Sequence, residues 1–235
     1  MRQNLLMENK TGKYFKYAFG EIVLVVIGIL IALQINYWNN QRIERKLEFS
    51  ILKELASNLD FDLKNIDEQI KWNEVYGKHN RIIYEHLKNK TPLTDSLKFS
   101  YASLIGYGDF LPMTITYENL KSEGINIIKN EDLRKEISKL YDYDYRAATS
   151  QLIQTIAYIQ ERHLNEVIEH LTTEQSWQSA KPVDLLALQN DIPFQESLKS
   201  VVMTRNYSNE IFIDTKKNIL KVKMSIENEL KIRNK

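Results

Sequence analysis

Four histidines have the widest chemical reach in this chain, and they come in pairs. His79 and His86 lie seven residues apart, as do His163 and His170. On a helix seven residues is two turns, so each pair shares a face. With Glu166 between them, His163 and His170 would supply part of a metal site built across two helices. The Glu-x-x-His spacing of ferritin-like di-iron bundles is absent, however, and so is His-Glu-x-x-His. Exposed or core-edge histidines are the preferred reading, with no metal or cofactor expected.

Tyr141-Asp142-Tyr143-Asp144-Tyr145 places three rings and two carboxylates in five residues. On a helix the rings fan round the axis, so at most two share a face and the acids point elsewhere. This predicts a tyrosine-rich packing seam with solvated acids, with a ligand or glycan surface as the sharper alternative. Gly106-Tyr107-Gly108-Asp109 lacks the third glycine, the preceding strand and the Lys-Ser/Thr of a phosphate loop, and reads as a hinge between helices. Asp109 with Glu118 or Glu123 would make paired carboxylates, but their spacing does not show that they meet. No catalytic residues are assigned.

Composition narrows the function classes. Lys and Arg total 32 against 31 Asp and Glu, a net charge of +1, so there is no broad basic face and nucleic acid is not an expected partner. The absence of cysteine excludes disulfides, thiolate zinc sites and thiol catalysis. With 43% hydrophobic residues, 7 Gly and 4 Pro, the chain is an ordered one with too little turn chemistry for an all-β fold.

The elements that must carry these residues begin with a membrane segment. Ile22 to Leu33 contains no polar residue, and with its flanks the span from Tyr17 to Tyr37 reaches roughly 31 Å, against a hydrocarbon core of about 30 Å. Tyr17 on one side and Tyr37 and Trp38 on the other are placed as interfacial anchors. A cleaved signal peptide would end in small residues, whereas this segment ends Gln34-Ile35-Asn36-Tyr37-Trp38. An uncleaved signal anchor is expected, dividing the chain into a cytoplasmic tail 1–16, a transmembrane helix 17–38 and an aqueous domain 39–235. Orientation rests on Arg2, Lys10, Lys13 and Lys16 against Arg42, Arg45, Lys46 and Lys53. It favours a cytoplasmic N-terminus because the downstream positives alternate with Glu44, Glu48 and Glu54.

At 100° per residue Glu21, Gly28, Ala32 and Asn39 fall on one narrow stripe with Asn36 at its edge, and Gly28-x-x-x-Ala32 has small-xxx-small spacing. Close helix contact and homo-oligomerisation are the functional reading. A headgroup-level Glu21 and an ordinary Gly28 are the plain one, and Gln34 on the opposite side weakens a single interface.

The segment from Lys13 to Asn39, containing Gly20-Glu21-Ile22-Val23-Leu24-Val25-Val26-Ile27-Gly28-Ile29-Leu30-Ile31-Ala32-Leu33-Gln34, closely resembles the signature of an uncharacterised Bacteroidota family. Thr116 to Arg134 is similar to a second, looser pattern of that family. The resemblance implies an N-terminally anchored single-pass protein of a Gram-negative envelope with a mostly helical remainder. It carries no functional residues.

Between Gly28 and Gly77 there is neither Gly nor Pro, and Ile43, Leu47, Ile51, Leu55, Leu59, Leu63, Ile66 and Ile70 recur at helical spacing. This predicts one rod from the membrane to about Asn89-Lys90-Thr91-Pro92, with Gly77 as a possible bend. Roughly 75 Å of it, for about 50 residues, would lie beyond the bilayer. Short helices are expected from a Thr94 cap to Leu104 and over Tyr117–Ser122. A long helix should run from an Asn130 cap to about Leu171, and Trp177 to Pro182 should be a connection. A short helix Asp184–Gln189 and a turn at Asp191-Ile192-Pro193 precede a last long helix. No strand is expected. Lys216, Lys217, Lys221 and Lys223 read as the wet face of that helix, opposite Ile219, Val222, Ile226 and Leu230.

The expected fold is all-α, a transmembrane helix continuing into an elongated antiparallel bundle. The expected function is a non-catalytic, membrane-anchored scaffold or interaction protein, its partners being lipid and either another copy of itself or an envelope protein. Next come a helical sensor or ligand-binding domain acting through a partner, and an enzyme with an unrecognised site.

Overall fold

The computed structural model describes residues 8–233, so that Arg2 and the first seven residues of the expected tail lie outside the described residues. Glu8–Lys88 is one helix, α1, of 81 residues. It ends just before Lys90, which takes a left-handed φ of 51° ahead of Pro92. By its contacts the chain divides into two compact units after Ser50. In the first unit the described side chains of the apolar run stand exposed along α1.

The second unit contains α2 (Asp95–Ala102), α3 (Ile115–Glu123), α4 (Glu131–Lys139), α5 (Tyr145–Ile159), α6 (Asn165–His170), α7 (Leu185–Asn190) and α8 (Ile192–Arg233). Helices make up 84% of the structure, which is the all-α class expected. Turns of π-helix over Leu140–Asp144 and Gln160–Leu164 join α4, α5 and α6 into one run. Three side chains cap helices, the expected Asn130 and, in addition, Asp184 and Asp191 at the starts of the two helices expected there. Asn130 Oδ1 accepts from Leu133 N, Asp184 Oδ1 from Ala187 N, and Asp191 Oδ1 from Phe194 N. Thr94 makes no cap; its hydroxyl meets Ser96 Oγ at 2.8 Å instead.

A second expectation is also overturned. Leu171–Gln175 (β1) and Ser179–Pro182 (β2) form an antiparallel hairpin where a helix end and a loose connection were expected. Its turn is made without glycine, by Trp177 at φ 62°. Glu174 holds it to Lys181 at 2.8 Å and to Lys98 of α2 at 3.5 Å.

Cross-helix contacts fix the directions. Asp67 with Lys216, Asn73 with Asn209, and Asn80 with Arg205 pair rising numbers on α1 with falling numbers on α8. Glu136 with Lys221, Thr155 with Ser208, and His163 with Ser197 do the same for the α4–α6 run. Thus α8 is antiparallel to both, and α1 and α4–α6 are parallel. Parallel neighbours need a return connection, and the strap over 106–114 supplies it by climbing back along α1. Gly106 lies on Tyr76, Asp109 N–H donates to Gln69, Met113 N–H donates to Asp62, and Thr116 receives Asn58.

The buried positions of α1 and α8 repeat every seven residues: Leu52, Leu59, Ile66, Asn73, Asn80 and Leu87 on α1, and Leu198, Arg205, Phe212, Ile219 and Ile226 on α8. This is the spacing of helices packed knobs into holes. The apolar members gather into two clusters. One surrounds Leu55, Ile137, Phe212 and Ile219, and the other Ile83, Leu104, Leu188 and Phe194. Each fully buried Leu or Ile contributes roughly 1.5–3 kcal/mol.

Candidate functional site

Polar residues occupy the core positions between the two apolar clusters. Asn73, Asn80, Thr155, His163, Arg205 and Ser208 are all buried. Asn73 Nδ2 donates to Asn209 Oδ1 at 3.1 Å, and Ser208 Oγ donates to Thr155 Oγ1 at 3.1 Å. Arg205 Nε donates to Asn80 Oδ1 at 3.2 Å, and the Arg205 guanidinium carbon stands 5.4 Å from the centre of the Tyr76 ring. Tyr76 in turn stacks on Trp72, with ring centres 5.8 Å apart. Burial lowers the Arg205 pKa to about 10, so it stays charged at neutral pH. Burial, helped by that charge, pushes His163 down to about 4 and keeps it neutral.

A second polar cluster lies within the first apolar one. Asp62 is fully buried, a carboxylate at a core position of α1 between Leu59 and Ile66. Tyr145 Oη donates to its Oδ2 at 2.6 Å and Met113 N to its Oδ1 at 2.9 Å. Burial raises its pKa, with those two bonds pulling the other way. Tyr141 packs edge-on against Tyr145 and stacks on Tyr117 at 4.5 Å between centres. Tyr117 Oη donates to Asp142 Oδ2 at 2.6 Å, and Lys121 Nζ reaches Asp142 Oδ1 at 2.9 Å. Burial raises the Asp142 pKa, but the Tyr117 hydroxyl and the Lys121 ammonium outweigh it and hold the group below its ordinary value. Beside this chain of groups lies a cleft of about 290 Å³ lined by Pro112, Thr114, Lys121, Asp142, Tyr145 and Arg146.

Both clusters meet a π-helical turn. The first turn places Tyr141, and Tyr145 just after it, on the buried side; the second places His163. Such bulges insert a residue and re-aim the side chains around them, and they recur at functional sites. Within the 141–145 run two tyrosines do share the inner face, and Tyr143 is exposed. Its acids are not merely solvated: Asp142 holds Tyr117, and Asp144 pairs with Lys139 at 2.7 Å.

The other sequence candidates are placed as follows. His79 Nδ1 meets Ser100 Oγ at 2.9 Å, and His86 Nδ1 meets Thr91 Oγ1 at 2.6 Å. His163 and His170 both face the Phe194 ring, and His170 Nε2 lies 3.2 Å from Asp191. Among the described residues no three His, Asp or Glu side chains gather as metal ligands would. Asp109 turns its carboxylate onto Phe110 N–H at 2.7 Å, while Glu118 lines the cleft. The buried carboxylate of this region is instead Asp62. Its sequence signal was an acid falling three residues after Leu59 and four before Ile66 in an otherwise apolar stripe.

Tyr17, Glu21, Gly28, Ala32, Asn36, Tyr37 and Trp38 all lie on α1 in the first unit with exposed side chains, and a Cβ at Gly28 would meet nothing within 4 Å. The helix is long and apolar enough to cross a membrane, and none of its most apolar stretch is buried within the protein. A core helix of a water-soluble domain would hide that surface.

The model of a family of unknown function (DUF6090) matches residues 21–173, more than half of the chain. The chain belongs to that family. The DUF6090 match takes in the apolar part of α1, Asp62, Asn80, the tyrosine cluster and His163, and stops before α8, which brings Arg205. No curated protein and no solved structure matches the chain.

Proposed function

We propose that this member of DUF6090 is a single-pass, membrane-anchored, non-catalytic helical module that holds partners, or copies of itself, at a bacterial inner membrane. The observation that carries this reading is the exposed apolar surface of α1 from Ile22 to Leu33, bounded by Tyr17, Tyr37 and Trp38. Burying it in lipid removes a surface far larger than isolated proteins leave in water. The stripe of Glu21, Gly28, Ala32 and Asn36 supports self-association through close backbone approach. The likeness of residues 13–39 to Bacteroidota anchors supports a Gram-negative envelope, with the N-terminus cytoplasmic and the helical unit periplasmic.

Carbonate washing of membranes carrying the full chain should leave it in the pellet. Crosslinking and mass measurement of the detergent-extracted protein should then show an oligomer or a co-purifying partner. Release by carbonate overturns the anchor, and a strict monomer alone in the extract overturns the scaffold. The second reading, a ligand-binding helical domain acting through a partner, is favoured by the buried polar layer, since a core of this size needs no such residues for stability.

A further inference from the structure

Arg205 is the bulkiest fully buried side chain among the described residues, only 1% exposed. A guanidinium offers five N–H donors and no acceptor, and it keeps its proton at neutral pH. Nε is satisfied by Asn80 Oδ1. Nη1 and Nη2 have no hydrogen-bond partner among the described residues, and neither has Nδ2 of the same Asn80 amide. Every unfilled group of this pair is therefore a donor, gathered around one positive charge.

That charge is also uncompensated. No acidic side chain pairs with Arg205 among the described residues, and the aromatic group against it is Tyr76, an uncharged phenol. The ring of Tyr76 offers only its negative face. His163 is neutral. Asp62 lies 18 residues before Asn80 on α1, about 27 Å along the helix axis. A neutral polar residue would fill the same space without the penalty of a lone buried cation.

We propose that Arg205 and Asn80 form a binding site for a small, compact anion of single charge, a halide or a carboxylate the size of formate. The fork of Nη1 and Nη2 supplies paired donors and the Asn80 amide a third, the arrangement that suits a compact anion. Asn80, His163 and Arg205 are 0–1% exposed, so an occupant would be closed off from water and its acceptors would have to be met by those three donors alone, which suits an ion of few atoms. The occupant would lie between α1 and α8, beside the second π turn, so its binding would tighten the layer that separates the two apolar clusters. This inference is independent of where the chain is anchored.

The test uses the full chain in detergent at constant ionic strength, with sodium gluconate replaced stepwise by sodium bromide or sodium formate. A saturable rise in Tm is expected, about 5–10 °C at a hundred times the half-saturating concentration. A response to bromide alone identifies a halide site, to formate alone a carboxylate site, and to both a site that reads charge only. A rise that does not saturate, or none, overturns the proposal. Arg205→Met should abolish the response, and an unchanged response overturns the site. Should that variant not fold, Asn80→Leu should raise the half-saturating concentration at least about tenfold, the weight of one lost charge-assisted hydrogen bond; an unchanged value counts equally against it. Crystals of the unaltered protein in bromide should show an anomalous peak within hydrogen-bond reach of Nη1 or Nη2, and ordered water alone at that place refutes the anion.

Discussion

Tyr145 and Asp62 meet in the interior, with the phenol hydroxyl donating to the carboxylate across 2.6 Å. The other carboxylate oxygen receives the Met113 backbone N–H. One buried acid thereby ties α1 to the start of α5 and to the strap that returns along α1. Met113 lies outside any helix, so a side-chain acceptor for its N–H meets a demand that secondary structure leaves open.

Asp62 gives the protein a pH dependence of unusual sign. Burial lifts its folded pKa above the ordinary 3.8, outweighing the Tyr145 and Met113 bonds. Just above that value the folded state holds a proton that the unfolded state has released, so Asp62 stabilises the fold at low pH and loses that contribution as pH rises through the folded pKa. In Asp62→Asn the titration is gone, while the amide oxygen can still accept from Met113 N–H and the amide Nδ2 can donate to the Tyr145 phenol oxygen in a reversed bond. Urea unfolding at a series of pH values should show wild type losing ground to the variant as pH rises above 3.8. A difference that stays flat, or that moves in favour of wild type, refutes the assignment.

Tyr145→Phe keeps the ring packed on Tyr141 and Phe110 but removes the donor to a buried carboxylate. A hydrogen bond to a charged group of this kind is worth about 1.5–3 kcal/mol, and that loss is expected at neutral pH. In the background of Asp62→Asn the same substitution should cost clearly less. Equal losses in both backgrounds would mean that the two groups are not coupled.

A feature of this fold is legible in the sequence where it is local. The helices and the Asn130, Asp184 and Asp191 caps follow from nearest-neighbour chemistry, and the run Leu52, Leu59 and Ile66 declares one core face. The polar layer stayed hidden because Asn80 and Arg205, read one helix at a time, look like a wet face; only the pairing of α1 with α8 turns them inward. The hairpin is hard to see in the sequence because Thr172 and Thr173 make a short signal and the turn relies on Trp177, a bulky residue in a conformation that usually calls for glycine. The parallel course of α1 and α4–α6 is set by the strap over 106–114, whose anchors Gln69 and Tyr76 carry no mark in the sequence, while Asp62 shows only as one acid in an apolar stripe that names no partner.

Gly106 is a steric requirement and not a conformational one. Its φ of −67° suits any residue, but a Cβ would stand 2.4–2.6 Å from three atoms of the Tyr76 ring. That ring is wedged between Trp72 and Arg205, so it has little freedom to retreat. Gly106→Ala is expected to destabilise by about 1–3 kcal/mol through overpacking. With Tyr76→Ala already present the added methyl should be nearly neutral. A full penalty in that background would place the clash elsewhere.

His163 acts on the acid side with the opposite sign to Asp62. Burial, reinforced by the charge of Arg205, takes its pKa from 6.5 to about 4, so the unfolded chain binds a proton that the folded protein resists. Stability should therefore drop as pH falls from 6.5 towards 4, by about 3 kcal/mol once both states are protonated. His163→Gln keeps polar atoms near Ser197 and cannot charge, so its unfolding free energy should lack this step. Measured side by side, the two proteins should differ least in slope above pH 7 and most between 6.5 and 4. If the variant shows the same acid loss as wild type, the proton is taken up at another group and His163 is not the neutral wall of the Arg205 site.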